Sequence, residues 1–260
     1  MTVVRESCSL ARGAERLART RAGPDVPVIG PAGETEGIAP DPDAGEEVAL
    51  GVAVKVVGAN ISASVIGNSL LLYDRIFAVA KTMNSTATEA VTGVPTRFQS
   101  TTSTDENYIG GNFGFIEVGL TALAATAHNW TVCLYTDQAA ASSTLPSLTG
   151  NSGAIVHRLD HPVQQWFAPL AAGDVGIKAW TQMQCSAAVA TGLINFVIGH
   201  EIGFMSFPVI NSVLPFDWLT NMCQAPYIPN DAYLAFLEIN KPTTTATTYT
   251  GTLYTTSTAS

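Results

Sequence analysis

Residues 171–200 hold the pattern that most limits what this chain can become. Val175, Ile177, Ala179, Thr181, Met183 and Cys185 alternate with Gly176, Lys178, Trp180, Gln182 and Gln184. Successive side chains on a strand point to opposite faces, so this period of two predicts a half-buried strand, whereas a helix would need a period of about 3.6. Ala171-Ala172-Gly173-Asp174 precedes it as a turn, because Gly and Asp tolerate the backbone angles of a tight reversal. Leu193 to His200 is a second β-rich run, and Gly192 suits the connection before it, so two adjacent antiparallel strands are the economical reading. The apolar and aromatic run Gln165 to Leu170 reads as part of the same succession of strands.

The same character recurs along the chain. In Val48 to Ile66, the residues Val48, Leu50, Val52, Val54 and Val56 alternate against smaller or charged neighbours. Leu70 to Lys81 has the length of a helix but the branched and aromatic content of a strand, and the strand is favoured. Tyr108 to Val118 alternates around Gly110, Gly111 and Gly114, which suggest a bulge or close packing; no helix with a Lys follows to make a phosphate cradle. His128 to Asp137 is the clearest isolated strand, Asp231 to Ile239 is another, and a last one is placed around Tyr249 to Thr256. About eight strands with no βαβ alternation predict an all-β, antiparallel sandwich.

Residues 1–60 differ, and read as an extended N-terminal arm before a β-sandwich domain at 61–260. Arg5, Arg12, Arg16, Arg19 and Arg21 make its start basic, while Gly23 to Glu47 holds five prolines and seven acids that face no Lys or Arg. Such a stretch cannot bury a core of its own, so contacts with a partner are expected to hold it. The start lacks the apolar centre of a signal peptide and no apolar run is long enough to span a bilayer, which predicts a soluble protein made in a reducing cytoplasm. Asn60, Asn84 and Asn129 begin glycosylation-type triplets that are read as chance matches. Charged residues make up 13% of the chain, about half the usual share. The net charge of -9 argues against nucleic acid or an anionic membrane as partner.

Candidate chemistry is sparse. Cys8, Cys133, Cys185 and Cys223 show no ligand spacing and are read as buried free thiols. His157, Asp160 and His161 are the best ligand candidates, but Pro162 keeps His161 off a helix and no third ligand lies nearby, so loop residues are expected and no metal or cofactor is assigned. His200 and Glu201 would point to opposite faces of a strand. Asp174 should bond its local backbone. Trp130, Trp166 and Trp180 could form a carbohydrate platform, with burial in the core as the competing reading. No catalytic residue is assigned.

The segments YDRIFAVAKTMNSTATEAVTGVPTRF, YIGGNFGFIEV, ATAHNWTVCLYTDQA, WFAPLAAGDVGIKAWTQMQCSAAVATGLINFVIGHEI and AYLAFLEINKP resemble virion structural proteins of tailed bacteriophages encoded among head genes. The resemblance covers roughly Leu70 to Ser260, and Met1 to Ile66 lies outside it. It implies a jelly-roll-like sandwich on the capsid exterior or at a head vertex, a homo-oligomer without enzymatic activity that decorates or cements the head. The expected partners are the major capsid protein or other head proteins and further copies of the chain, with a trimer favoured because capsid lattices offer three-fold positions. Arg5, Arg12, Arg16, Arg19 and Arg21 become the candidate capsid contacts of the arm. The alternative is a carbohydrate-binding, host-recognition module of the virion.

Overall fold

A computed structural model describes residues 3–6, 54–82, 86–119, 122–150, 159–161, 165–189, 192–218, 226–229, 232, 234–239 and 249–257. Fourteen strands run through the described residues: β1 (Val3–Glu6), β2 (Val54–Ala63), β3 (Asn68–Thr82), β4 (Glu89–Ala90), β5 (Asn112–Val118), β6 (Asn129–Asp137), β7 (Ser142–Thr144), β8 (Leu148–Thr149), β9 (Ile177–Cys185), β10 (Leu193–Phe207), β11 (Leu214–Asp217), β12 (Tyr227–Ile228), β13 (Leu234–Ile239) and β14 (Tyr249–Ser257). They pair antiparallel and the sheets pack face to face, as the alternation predicts. Leu70 to Lys81, ambiguous in sequence, is a strand within β3.

The region from residue 61, read as one domain, holds two hydrophobic cores, each in its own compact unit. β3 passes from one unit to the other between Asp74 and Arg75, and β10 between Glu201 and Ile202. In the first unit one sheet runs in the order β1-β14-β2-β11, with β12 also on β2. Its Val56, Ile61 and Tyr249 pack with Leu70 and Leu72 of β3, Met205 and Phe207 of β10 and Phe236 of β13. The Tyr249 hydroxyl donates to Glu238 Oε1 at 2.7 Å, so the polar end of this buried ring is satisfied.

In the second unit a sheet ordered β4-β9-β6-β7, with β8 on β6, faces β5 and the first half of β10. Trp130 and Trp180 both meet the Phe196 ring edge to face, at centroid distances of 5.3 and 5.7 Å. The Trp180 indole N–H donates to the Val197 carbonyl at 3.1 Å. Alternation alone put Trp180 on the polar face of β9 and Thr181 on the apolar one. The observed order is the reverse, with Trp180 buried and Thr181 exposed. The cause is a shift in the β6–β9 register between Leu134 and Tyr135, where Leu134 opposes Gln182 and Tyr135 opposes Trp180. Thr181 is the extra residue of a bulge, and a bulge turns the following side chain to the other face.

The arm can be placed in part. Val3–Glu6 pairs with β14, with Arg5 opposite Tyr254, and residues 54–60 are the first part of β2. Arg12, Arg16, Arg19 and Arg21 lie outside the described residues, as do Cys8 and Cys223. The run Gln165 to Leu170, expected as a strand, is a loop: Pro169 has no N–H to give a ladder, and Ala168 N to Gly114 O, 2.7 Å, is its backbone link to β5.

Gly114 is the packing glycine of β5. A Cβ there would lie 2.5 Å from Cζ2 of Trp180, which is itself enclosed. Gly114→Ala should therefore lower the unfolding free energy by about 1–3 kcal/mol, the usual cost of overpacking. A urea titration followed by tryptophan fluorescence measures it, and an unchanged midpoint would show that the indole has room to move.

Candidate functional site

Asp160 and His161 are buried, and the segment that carries them runs along the edge of β5. Leu159 bridges Glu117, Asp160 N donates to Ile116 O at 2.8 Å, and Ile116 N donates to His161 Nε2 at 2.9 Å. His161 must be neutral to accept that bond. Burial lowers its pKa to about 4, against the opposing pull of the Asp160 charge and the Phe167 carbonyl. His157 lies outside the described residues.

The Asp160 carboxylate has partners that sequence reading missed. Its Oδ2 accepts from Trp130 Nε1 and pairs with His128 Nε2, each at 2.9 Å. The other imidazole nitrogen, Nδ1, faces the Thr126 carbonyl at 2.9 Å. A carbonyl and a carboxylate both accept, so the pair of contacts favours the form of His128 with protons on both nitrogens. Burial presses its pKa down, but the hydrogen bond and charge of Asp160, with the Thr126 carbonyl, outweigh that and leave it raised. Gly150 makes the site possible, since a Cβ there would lie 2.2 Å from His128 Nε2.

This arrangement binds the fold together and leaves no lone pair for a general base. The thiols are no better placed as nucleophiles: burial, with Cys185 nearby, pushes Cys133 up to about 12, and burial raises Cys185 as well. Both are free and buried. His200 donates from Nδ1 to Asn112 Oδ1 at 2.6 Å and stacks on Phe98, and burial holds its pKa at about 4. Among the described residues no three His, Cys, Asp or Glu side chains gather as a metal site.

Among the described residues a groove of about 390 Å³ beside the 165–175 loop has room for a ligand, lined by Phe113, Trp166, Phe167, Leu170, Asp174 and Glu201 among others. Trp166 meets Phe113 edge to face at 5.2 Å and Phe167 at 4.7 Å. Asp174 N donates to Ala171 O at 3.0 Å within the turn, but its carboxylate, expected to bond local backbone, accepts from the Tyr135 hydroxyl at 2.5 Å. That hydroxyl in turn accepts from Ala171 N at 2.7 Å. Burial, then the bond to Asp174, raises the Tyr135 pKa to about 12, so it stays a donor. The three tryptophans form no common platform. Trp130 and Trp180 are in the core, and Trp166 is at the groove. A hollow of about 20 Å³ beside Met183 and Cys185 has space for little more than a water.

Compared with known proteins, the chain matches no family model, no curated protein and no solved structure.

The histidines predict a two-sided pH profile. His161 and His200 have folded values near 4 against an ordinary 6.5, so between these limits the unfolded chain binds protons that the folded chain does not. Their contribution is present above pH 6.5 and is lost as pH falls towards 4. His128, with a raised value, contributes fully below 6.5 and loses that contribution as pH rises through its folded pKa. Urea midpoints measured across this range should fall on both sides. His200→Gln should flatten the acid limb, and His128→Gln the alkaline one.

Proposed function

We propose that the chain is a non-enzymatic structural component of a tailed-phage virion, made in the host cytoplasm, that decorates or cements the exterior of the head through its N-terminal arm. The likeness of the Leu70 to Ser260 segments to virion structural proteins supports the virion part. The commitment of both His128 nitrogens to Thr126 and Asp160 carries the non-enzymatic part, because the most base-like dyad among the described residues is closed to a substrate. Its partners in this reading are the major capsid protein or other head proteins, reached through Arg5, Arg12, Arg16, Arg19 and Arg21.

Deletion of residues 1–53 tests the anchor. β1 is an edge strand of the first unit's sheet, so the truncated protein should still fold with a β-type circular dichroism spectrum, reduced by that one strand. It should no longer join particles, and full-length occupancy should weaken with salt, as exposed charge pairs do. Truncated protein at full occupancy on capsids would place the anchor in the sandwich.

The same reading includes self-association as a trimer. Gly67 N to Phe207 O and Asn211 N to Ala63 O bring the turn after β2 against the turn after β10 in the first unit. Ile66, Val209, Ile210 and Val213 in and beside these turns are exposed, and exposed apolar clusters mark contact surfaces. Light scattering should give three times the chain mass at tens of micromolar, and Ile210→Asp should reduce it to that of one chain.

A further inference from the structure

The groove at the 165–175 loop is built for a ligand of one charge type. Among the described residues its lining holds two carboxylates, Asp174 and Glu201, and no Lys, Arg or His. Anionic ligands are disfavoured there, and the chain as a whole carries a net charge of -9. Apart from Asn112, whose amide is taken up by Phe98, Ile177 and His200, the rest of the lining is aromatic or apolar, with Phe167 39% and Val175 55% exposed. Ring faces attract cations through their quadrupole, so the aromatics and the acids favour the same sign of ligand.

The walls are held in place without a ligand. Ala168 N is tied to Gly114 O at 2.7 Å, Gly111 N to Val175 O at 2.8 Å, and Val175 N to Gln138 Oε1 at 2.9 Å. The Tyr135 hydroxyl fixes Asp174 and the turn before it. A volume of about 390 Å³ falls in the range of small-molecule sites, roughly 300–1,000 Å³.

We propose that this groove binds a small organic cation of the methylated ammonium class. A primary ammonium carries three donors, each needing an acceptor, and one Asp174 oxygen already serves Tyr135. A quaternary ammonium has none to satisfy. Its methyl groups instead present apolar surface, which Phe113, Phe167, Pro169 and Leu170 can cover while Asp174 and Glu201 supply the counter-charge.

The test uses the full chain with choline and its uncharged isostere 3,3-dimethylbutan-1-ol, followed by tryptophan fluorescence and isothermal titration. Choline should bind saturably and at least about tenfold more tightly than the alcohol, a difference of about 1.4 kcal/mol. Glu201→Gln should weaken choline and leave the alcohol unchanged. Trp166→Ala and Phe167→Ala should each remove choline binding while circular dichroism stays that of the parent. Phe167 is the more exposed of the two, so its variant keeps the test valid if Trp166→Ala fails to fold. Equal affinity for choline and the alcohol would overturn the proposal. So would tighter binding of methyl glucoside, which would make the groove a sugar site, or the absence of saturation by choline up to tens of millimolar.

Discussion

A strand covered on both faces has nowhere to put a charge, and that constraint governs much of this fold. All seven residues of β5 and all six of β13 are buried, and Leu70 to Val79 of β3 are buried without interruption. Charges that fall on such strands must find partners inside. In the second unit Arg75 of β3 reaches Glu117 of β5 at 2.7 Å, and the Asn195 amide of β10 donates to the same carboxylate oxygen at 3.0 Å. Both ionic side chains are almost wholly enclosed. A buried pair of this kind adds little over a well-packed apolar one, yet losing one member costs about 3–5 kcal/mol because the other stays buried and charged. The three strands are thus held to one register by chemistry as well as by shape.

The second consequence concerns edges. β5 ends its sheet, and an unpaired edge would expose a row of backbone donors and acceptors. Leu159, Asp160, His161 and Ala168 occupy that edge, with backbone bonds and one imidazole standing in for a neighbouring strand. The Asp160 side chain then crosses to His128 and Trp130 at the start of β6. A ligand-rich sequence, HRLDH, is therefore used in its described part as an edge cover and cross-tie. The loop that continues from it inherits a fixed starting point, which is what allows residues 165–175 to wall a defined groove.

How much of this could be read in the sequence depended on whether one face met water. β6 and the outer parts of β9 alternate visibly because one face of each is half-buried or exposed. β3 showed no alternation, and its length suggested a helix as readily as a strand, because both of its faces are buried from Leu70 to Val79. The Trp180 and Thr181 assignment failed at a single bulge, which composition does not announce. His128 could not be matched with Asp160, because the two are 32 positions apart and meet only after the edge segment docks. Trp166 looked like Trp130 and Trp180, since the sequence places all three in strands. Pro169, three residues on, was the one local sign that its run would leave the sheet.

These placements bear on where recognition can occur. With charged residues at 13% of the chain, each one withdrawn into the interior leaves the surface poorer in charge. Arg75, Glu117, Asp160 and Glu238 are buried, and His128 adds an enclosed imidazole. On a surface so depleted, a few charges dominate the local field, because physiological salt screens the contribution of charges more than ~8 Å away. Asp174 and Glu201 share one groove with exposed aromatic rings, whereas the exposed apolar turns of the first unit are lined by Ile66, Val209, Ile210 and Val213. The groove can select its ligand by charge. The turns can select only by shape and apolar area, which suits contact with another protein surface better than capture of a small molecule.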